Sequence, residues 1–382
     1  MPYEPVTEPI SSPYAFGQEG EAATLSVAAI LLALRLRIRG DDRRLTAQAV
    51  DVVGRAGESA VVALPDEDIA RLGIPMISAT GERVDSAQAI APLVEFGFDS
   101  GQSELPRDVI ESVAQMFQDH PTHQSVAALF EACLRHPEEL VRVAAAAAYL
   151  DVTTQPEGPL AILRQALTTD DDQTREVAAV CLARYSPEDP ALQSILREGQ
   201  FPEEGSPANS WIFVHGTRLL RLSTWWQHGS AFHQYFVDHV RSDVYTAPDP
   251  FFWDAGYSDA SRAVGAVDLL GWARDKGLTT LDIVAHSHGG NLAMLATQGG
   301  LDLEELVLLS CPVRIPQYLP QFKRVRKIVS VRVHMDIMVL ADRAGQIFNL
   351  PQIEEHVLPI WFKHSATHEP DVWKEFNIGQ WL

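Results

Sequence analysis

The stretch LDIVAHSHGGNLAML, residues 281–295, decides how the chain is read. A short apolar run leads into His286-Ser287-His288, two glycines follow, and a helical pattern begins at once. Two chemistries fit this pattern. On an extended strand, residues two apart share a face, so His286 and His288 read as a pair of zinc ligands. Alternatively, the strand stops at Ser287 and the hydroxyl stands on a sharp turn, with small residues around it for steric reasons. The surroundings favour the turn. No third ligand follows at short spacing, and Gly289-Gly290 opens a helix instead. His364 and His368, four apart, could share a metal only on a helix, which Pro370 opposes. Ser287 is therefore read as a nucleophile and His286 as a packing or pocket-lining residue, with no metal.

The same rhythm of apolar strand, loop and helix runs from Trp211 onward. WIFVHG (211–216), DVYTAP (243–248), LDIVAHS (281–287), LEELVLLSCP (303–312), KIVSVRVHMD (327–336) and EEHVLPIWF (354–362) are short and apolar at consecutive positions. Continuous apolarity marks strands buried on both faces, as in a parallel sheet. DASRAVGAVDLLGWARDKG (259–277) reads as a helix between two of them. The fold class expected for 211–382 is α/β with a mostly parallel, doubly wound sheet.

The first half reads differently. Residues 1–22, rich in Pro, Ser and Glu, suggest a flexible arm, and 23–105 a mixed, mainly helical region. From 106 to 200 amphipathic helices recur. Leu134 and Leu167 end first helices, and Arg142 and Arg175 take equivalent places in second ones, an offset of about 33 residues, which is a solenoid period. A plain helical bundle is the alternative. The alanine run Ala144–Ala148 suits close helix packing. The stretch EGQFPEEGSPANS (198–210) supplies the domain boundary, with the linker placed at 201–210.

Composition narrows the function. A formal charge of −21 would be repelled by nucleic acid and by anionic membranes. Cys133, Cys181 and Cys311 are widely spaced, which excludes a disulfide framework and fits a reducing, cytoplasmic compartment. The apolar run ATLSVAAILLAL (23–34) is too short to span a bilayer and reads as a buried helix.

The residues around Ser287, A-H-S-H-G, approximate the G-x-S-x-G elbow, with Ala285 in place of the first glycine. With FVHGT at the first strand, they make 211–382 resemble the α/β-hydrolases of the esterase and lipase type, and the VRxAA helices resemble HEAT repeats. The first resemblance implies a serine hydrolase of carboxylic esters working through an acyl-enzyme without a cofactor. By the match, Thr217 and His288 donate the two backbone N–H groups of an oxyanion hole, at roughly 3 kcal/mol each. His215 buttresses that loop. Asp336, ending a strand, is the acid, with Asp342 as the alternative. His364, just past the last strand, is the base, with His368 as the alternative. The segment 313–326 is too short for an inserted cap, so the helical half is expected to cover the site. Trp225, Trp226, Phe251, Phe252, Trp253 and His215 are candidate pocket residues. The expected partner is a small or lipid-like ester, with a protein partner or self-association through the repeats. A zinc hydrolase using His286 and His288, and a non-catalytic scaffold, are the rival readings.

Overall fold

The computed structural model describes residues 6–39, 65–75, 77, 89–91, 93, 104–195, 211–217, 224–246, 250–278 and 281–382. Most of the 23–105 region beyond its first helix, and the expected 201–210 linker, lie outside the described residues. The first half contributes α1 (Glu21–Arg39), α2 (Asp66–Arg71), α3 (Arg107–Asp119), α4 (His123–Cys133), α5 (Glu139–Val152), α6 (Glu157–Ala166), α7 (Asp172–Tyr185) and α8 (Pro190–Ile195).

The repeat seen in the sequence has a physical counterpart in the turns. α4 and α6 end at Leu134 (φ −60°, ψ −17°) and Leu167 (φ −64°, ψ −16°), nearly the same backbone geometry. Arg142 then donates to the carbonyl of His136, and Arg175 to that of Thr169, each six residues back. Both guanidinium groups thus satisfy carbonyls of the turn that precedes their own helix. α5 is the central helix, in contact with α1, α4, α6 and α7. Ala144 to Ala148 are all buried there, and larger side chains would force these neighbours apart.

Part of the N-terminal segment expected as an arm makes contacts with the rest of the fold. From Val6 on it is packed: Trp361 N–H donates to Val6 O at 2.7 Å, and Phe16 is fully buried. Val6 and Ile10 pack against the same apolar cluster, whereas Tyr14 is exposed.

The second half contributes β1 (Trp211–Val214), α9 (Ala231–His239), α10 (Asp259–Asp275), β2 (Leu281–His286), α11 (His288–Gln298), β3 (Leu303–Leu309), β4 (Val325–His334), α12 (Ile337–Ala341), β5 (Glu354–Trp361) and α13 (Pro370–Glu375). The strands form one sheet in chain order, every neighbouring pair parallel. Ile283, Leu306, Leu308 and Ile328 face one apolar core with α10 and α11. Val284, Val307, Val329 and Val331 face another with Phe232, Phe236 and Trp373. Both faces are covered, which is why the strand sequences lack alternation. Of the expected strand at 243–248, residues 243–246 are described, and among them a single bridge, Val244 to Trp211, is formed. Because the strands are parallel, their carboxyl ends lie along one edge.

The five-residue helix α12 departs from this sheet and enters the helical half. Met335, Ile337, Met338, Leu340 and Ala341 belong to the same apolar cluster as α1, α5 and α7. Arg35 of α1 donates to Ala341 O at 3.2 Å. Asp151 of α5 pairs with Arg35 at 3.5 Å and with Arg343 just past α12. Among the described residues no helix is long and apolar enough to cross a membrane. If α12 is a core element, Leu340→Ala should destabilise the protein by about 2–5 kcal/mol in urea denaturation. A loss below about 0.5 kcal/mol, the usual range for surface positions, would show that α12 is not embedded.

Candidate functional site

Ser287 joins β2 to α11 at φ 53° and ψ −133°, a conformation that a side chain adopts only under strain. Such a position costs of order 1–3 kcal/mol and persists only where its surroundings over-determine it. Three glycines let those surroundings close in. A Cβ on Gly289 would lie 2.5 Å from Val214 O and 2.6 Å from His215 O, and one on Gly290 would lie 2.6 Å from Cys311 Sγ. A Cβ on Gly216 would lie 2.7 Å from that of Ser287, so the loop after β1 rests directly on the serine. Ser287 N–H continues the ladder, donating to Leu309 O at 2.8 Å.

Asp336 and His364 meet at the same edge. His364 Nδ1 lies 2.9 Å from Asp336 Oδ1 and 2.8 Å from Oδ2. The carboxylate is itself fixed: Oδ1 accepts from Met338 N–H at 3.0 Å and Val339 N–H at 3.2 Å, capping α12. Asp336 N–H donates to Gln346 Oε1 at 3.0 Å. Burial alone would lower the pKa of His364. Asp336, and Glu176 after it, outweigh burial and raise it above the ordinary histidine value.

The alternatives line the same cavity but make other contacts. Asp342 does not meet His364 among the described contacts; it accepts from Arg314 Nε at 3.1 Å and faces His288 Nε2 at 3.3 Å. His368 stacks on Trp225, with centroids 5.0 Å apart, and burial followed by the charge of His364 pushes its pKa down to about 3. His286 packs against the rings of His364 and His368, and burial holds its pKa well below the ordinary value. His286 and His288 therefore turn to different partners rather than converging. Among the described residues no group of three or more His, Cys, Asp or Glu side chains is gathered to hold a metal ion.

One cavity of about 470 Å³ connects these groups and is lined by Ser287, His364, Gly216, Thr217 and His288. Of the expected pocket residues, His215, Trp225 and Trp226 line it. Phe251 and Trp253 do not; they lie in the core under β1, and Trp253 Nε1–H donates to His215 O at 2.9 Å. Their wide apolar rings are better buried beneath the loop than exposed within it. Phe252 is half-buried, its ring 5.2 Å from that of His215. The wall also includes Glu21 of α1 and Gln173, Glu176 and Val180 of α7. Nothing local in the sequence marks these four as site residues, because their role depends on how the two halves pack. Asn291, in the first turn of α11, is a further residue the sequence did not single out. Its Nδ2 donates to Pro312 O at 2.8 Å.

No protein-family model matches the chain, and no curated protein matches it.

Two outcomes follow from the turn and the pair. Gly289→Ala should destabilise the protein by about 1–3 kcal/mol through overpacking. Gly271→Ala, which meets open space in the interior of α10, should stabilise it by about 0.5–1 kcal/mol; paired urea melts check both signs. In an NMR titration, the pKa of His364 should lie above 6.5 and fall when Asp336 becomes Asn. An unshifted value in the variant would mean that the pair is absent in solution.

Proposed function

We propose that the chain is a serine hydrolase of carboxylic esters, with an α/β-hydrolase-like catalytic region preceded by HEAT-like helical repeats. The observation that carries the reading is the Asp336–His364 pair at the carboxyl edge of a parallel sheet, with His364 and a strained Ser287 lining one cavity. Strand carboxyl ends are where open α/β sheets place their ligands. The order along the chain is serine, acid, histidine, the α/β-hydrolase order.

In the proposed reaction, His364 Nε2 accepts the Ser287 hydroxyl proton as Oγ attacks the acyl carbon. Asp336 fixes the tautomer with its bond to Nδ1 and balances the imidazolium charge. The tetrahedral oxyanion is met by the backbone N–H groups of Thr217 and His288. On its collapse the ester C–O bond breaks, and the leaving alkoxide takes the proton from His364. Water, deprotonated by His364, then attacks the acyl-enzyme; the acid leaves and Ser287 recovers its proton. The helical half acts as the cover that 313–326 is too short to provide, with Gln173, Glu176 and Val180 as its contact with substrate.

Intact-mass labelling with a fluorophosphonate tests the reading. A single adduct, lost in Ser287→Ala and indifferent to EDTA, is the expected result. Turnover abolished by EDTA without an adduct would make His286 and His288 metal ligands instead. The pH dependence is a second test. His364 must be neutral to accept a proton, and its raised pKa keeps it charged to higher pH, so the acid limb of kcat/KM should lie above pH 6.5. Glu176→Gln removes one of the charges that raise it, and should move the limb downward. Asp336→Asn should cost about 10⁴ in kcat.

A further inference from the structure

The mechanism uses Asp336 at one end of α12. The other end carries a second buried carboxylate, Asp342, and it faces the other histidine beside Ser287. His288 Nε2 lies 3.3 Å from Asp342 Oδ2 and Nδ1 lies 2.8 Å from Asn291 Oδ1. The buried ring lies between two oxygens and, carrying a single N–H when neutral, donates to one of them at a time. Each of those is anchored in turn. Asn291 is oriented by its donation to Pro312 O, which can only accept. Asp342 accepts from Arg314 through Nε at 3.1 Å and Nη2 at 2.5 Å, and Arg184 of α7 lies 3.7 Å away. Burial would favour the neutral acid, yet Arg314 and then His288 hold the carboxyl well below its usual range.

This clamp answers a local need. Most helices begin with a side chain that ties down the free N–H groups of the first turn. Ser287 occupies that position in α11, and its hydroxyl makes no capping bond. The first turn, including the His288 N–H, must be fixed by other means. Gly289 and Gly290 bring it close to β1 and β3, and the His288 side chain reaches Asp342 at the C-terminal end of α12.

We propose that Asp342 and His288 form a positioning pair, in which the carboxylate at the C-terminal end of α12 orients the residue whose backbone N–H meets the oxyanion. This rests on the hydrolase reading above. One short helix then aligns both sides of the reaction: Asp336 sets the base and Asp342 the oxyanion donor. Arg184 extends the clamp into the helical half, so α7 contributes to the alignment as well as to the cavity wall.

The test uses the full-length protein with His288→Gln, Asp342→Asn and the double variant. Active sites are counted by fluorophosphonate labelling, and kcat and KM are measured on p-nitrophenyl butyrate per labelled site. Misaligning a donor should cost less than deleting one, which lowers kcat by 10²–10³. The expected loss in kcat per labelled site is therefore roughly 10- to 100-fold, with KM within about two-fold and the acid limb of the pH profile unmoved. The double variant should be no worse than the more impaired single, since the two residues act as one unit. A merely structural role would lower the labelled fraction and leave kcat per site intact. That result, or a loss confined to KM, overturns the proposal. Asp342→Asn leaves two arginines without their carboxylate and risks misfolding. His288→Gln keeps those ion pairs, so it decides the matter alone if the first variant does not fold. A wild-type protein that forms no adduct and turns over no ester overturns the hydrolase reading, and this inference with it.

Discussion

The arrangement depends on burying α12. Five residues cannot hold a helix in water, because nucleation costs more than so few hydrogen bonds return. This helix persists because Asp336 caps its first turn and because its side chains are enclosed by α1 and α7. Ile337, Leu340 and Ala341 are fully buried, and Val339 nearly so. Apolar on every side, the segment has no solvent face and cannot lie on the surface of the sheet domain. The helical half supplies its second wall, and from that follow the orientation of Asp336, the pair with His364 and the shape of the cavity.

Electrostatics then separates four histidines that share one neighbourhood. His286, His288, His364 and His368 all line the cavity, and burial drives each toward the neutral form. Only at His364 does the local charge overcome that drive. Asp336 sits in direct contact with its Nδ1, and the charge it favours there depresses the protonation of His286 and His368 in turn. The raised pKa of His364 is therefore set by a carboxylate, not by exposure or by position along the chain. His288 also has a carboxylate, but Asp342 is shared with Arg314, whose positive charge opposes protonation of the ring. The two aspartates at the ends of α12 thus act differently on the imidazoles they face.

Much of this was legible in the sequence where a local pattern had a single physical meaning. Runs apolar at consecutive positions are stable only between two covering layers, so the parallel strands could be read directly. The turn at Ser287 was legible because small residues have few other reasons to gather at a strand end. The 33-residue offset was legible because the arginines that satisfy the turn carbonyls recur with it. Contacts between the halves were not legible. IMVLA, residues 337–341, is too short to declare itself a helix, though a run of five apolar residues between two aspartates was a signal that it must be buried somewhere. Glu176 lies on an amphipathic helix whose polar face reads as solvent-exposed until the second half covers it. Phe251 and Trp253 were read as pocket residues because their loop lies near the catalytic edge, yet sequence does not tell whether an aromatic in such a loop points inward or outward.

A small helix with charged ends, taken alone, would loosen and shift the side chains at both its ends. The magnitudes argue otherwise. Fully burying a large aliphatic side chain contributes about 1.5–3 kcal/mol. Releasing α12 would expose Met335, Ile337, Val339 and Leu340 together, on the order of 6–12 kcal/mol before any ion pair is counted. That is comparable to the whole stability of an ordinary domain, about 5–15 kcal/mol. On these magnitudes, opening α12 is expected to cost about as much as unfolding. The positions of Asp336 and Asp342 are in that sense fixed when the chain folds.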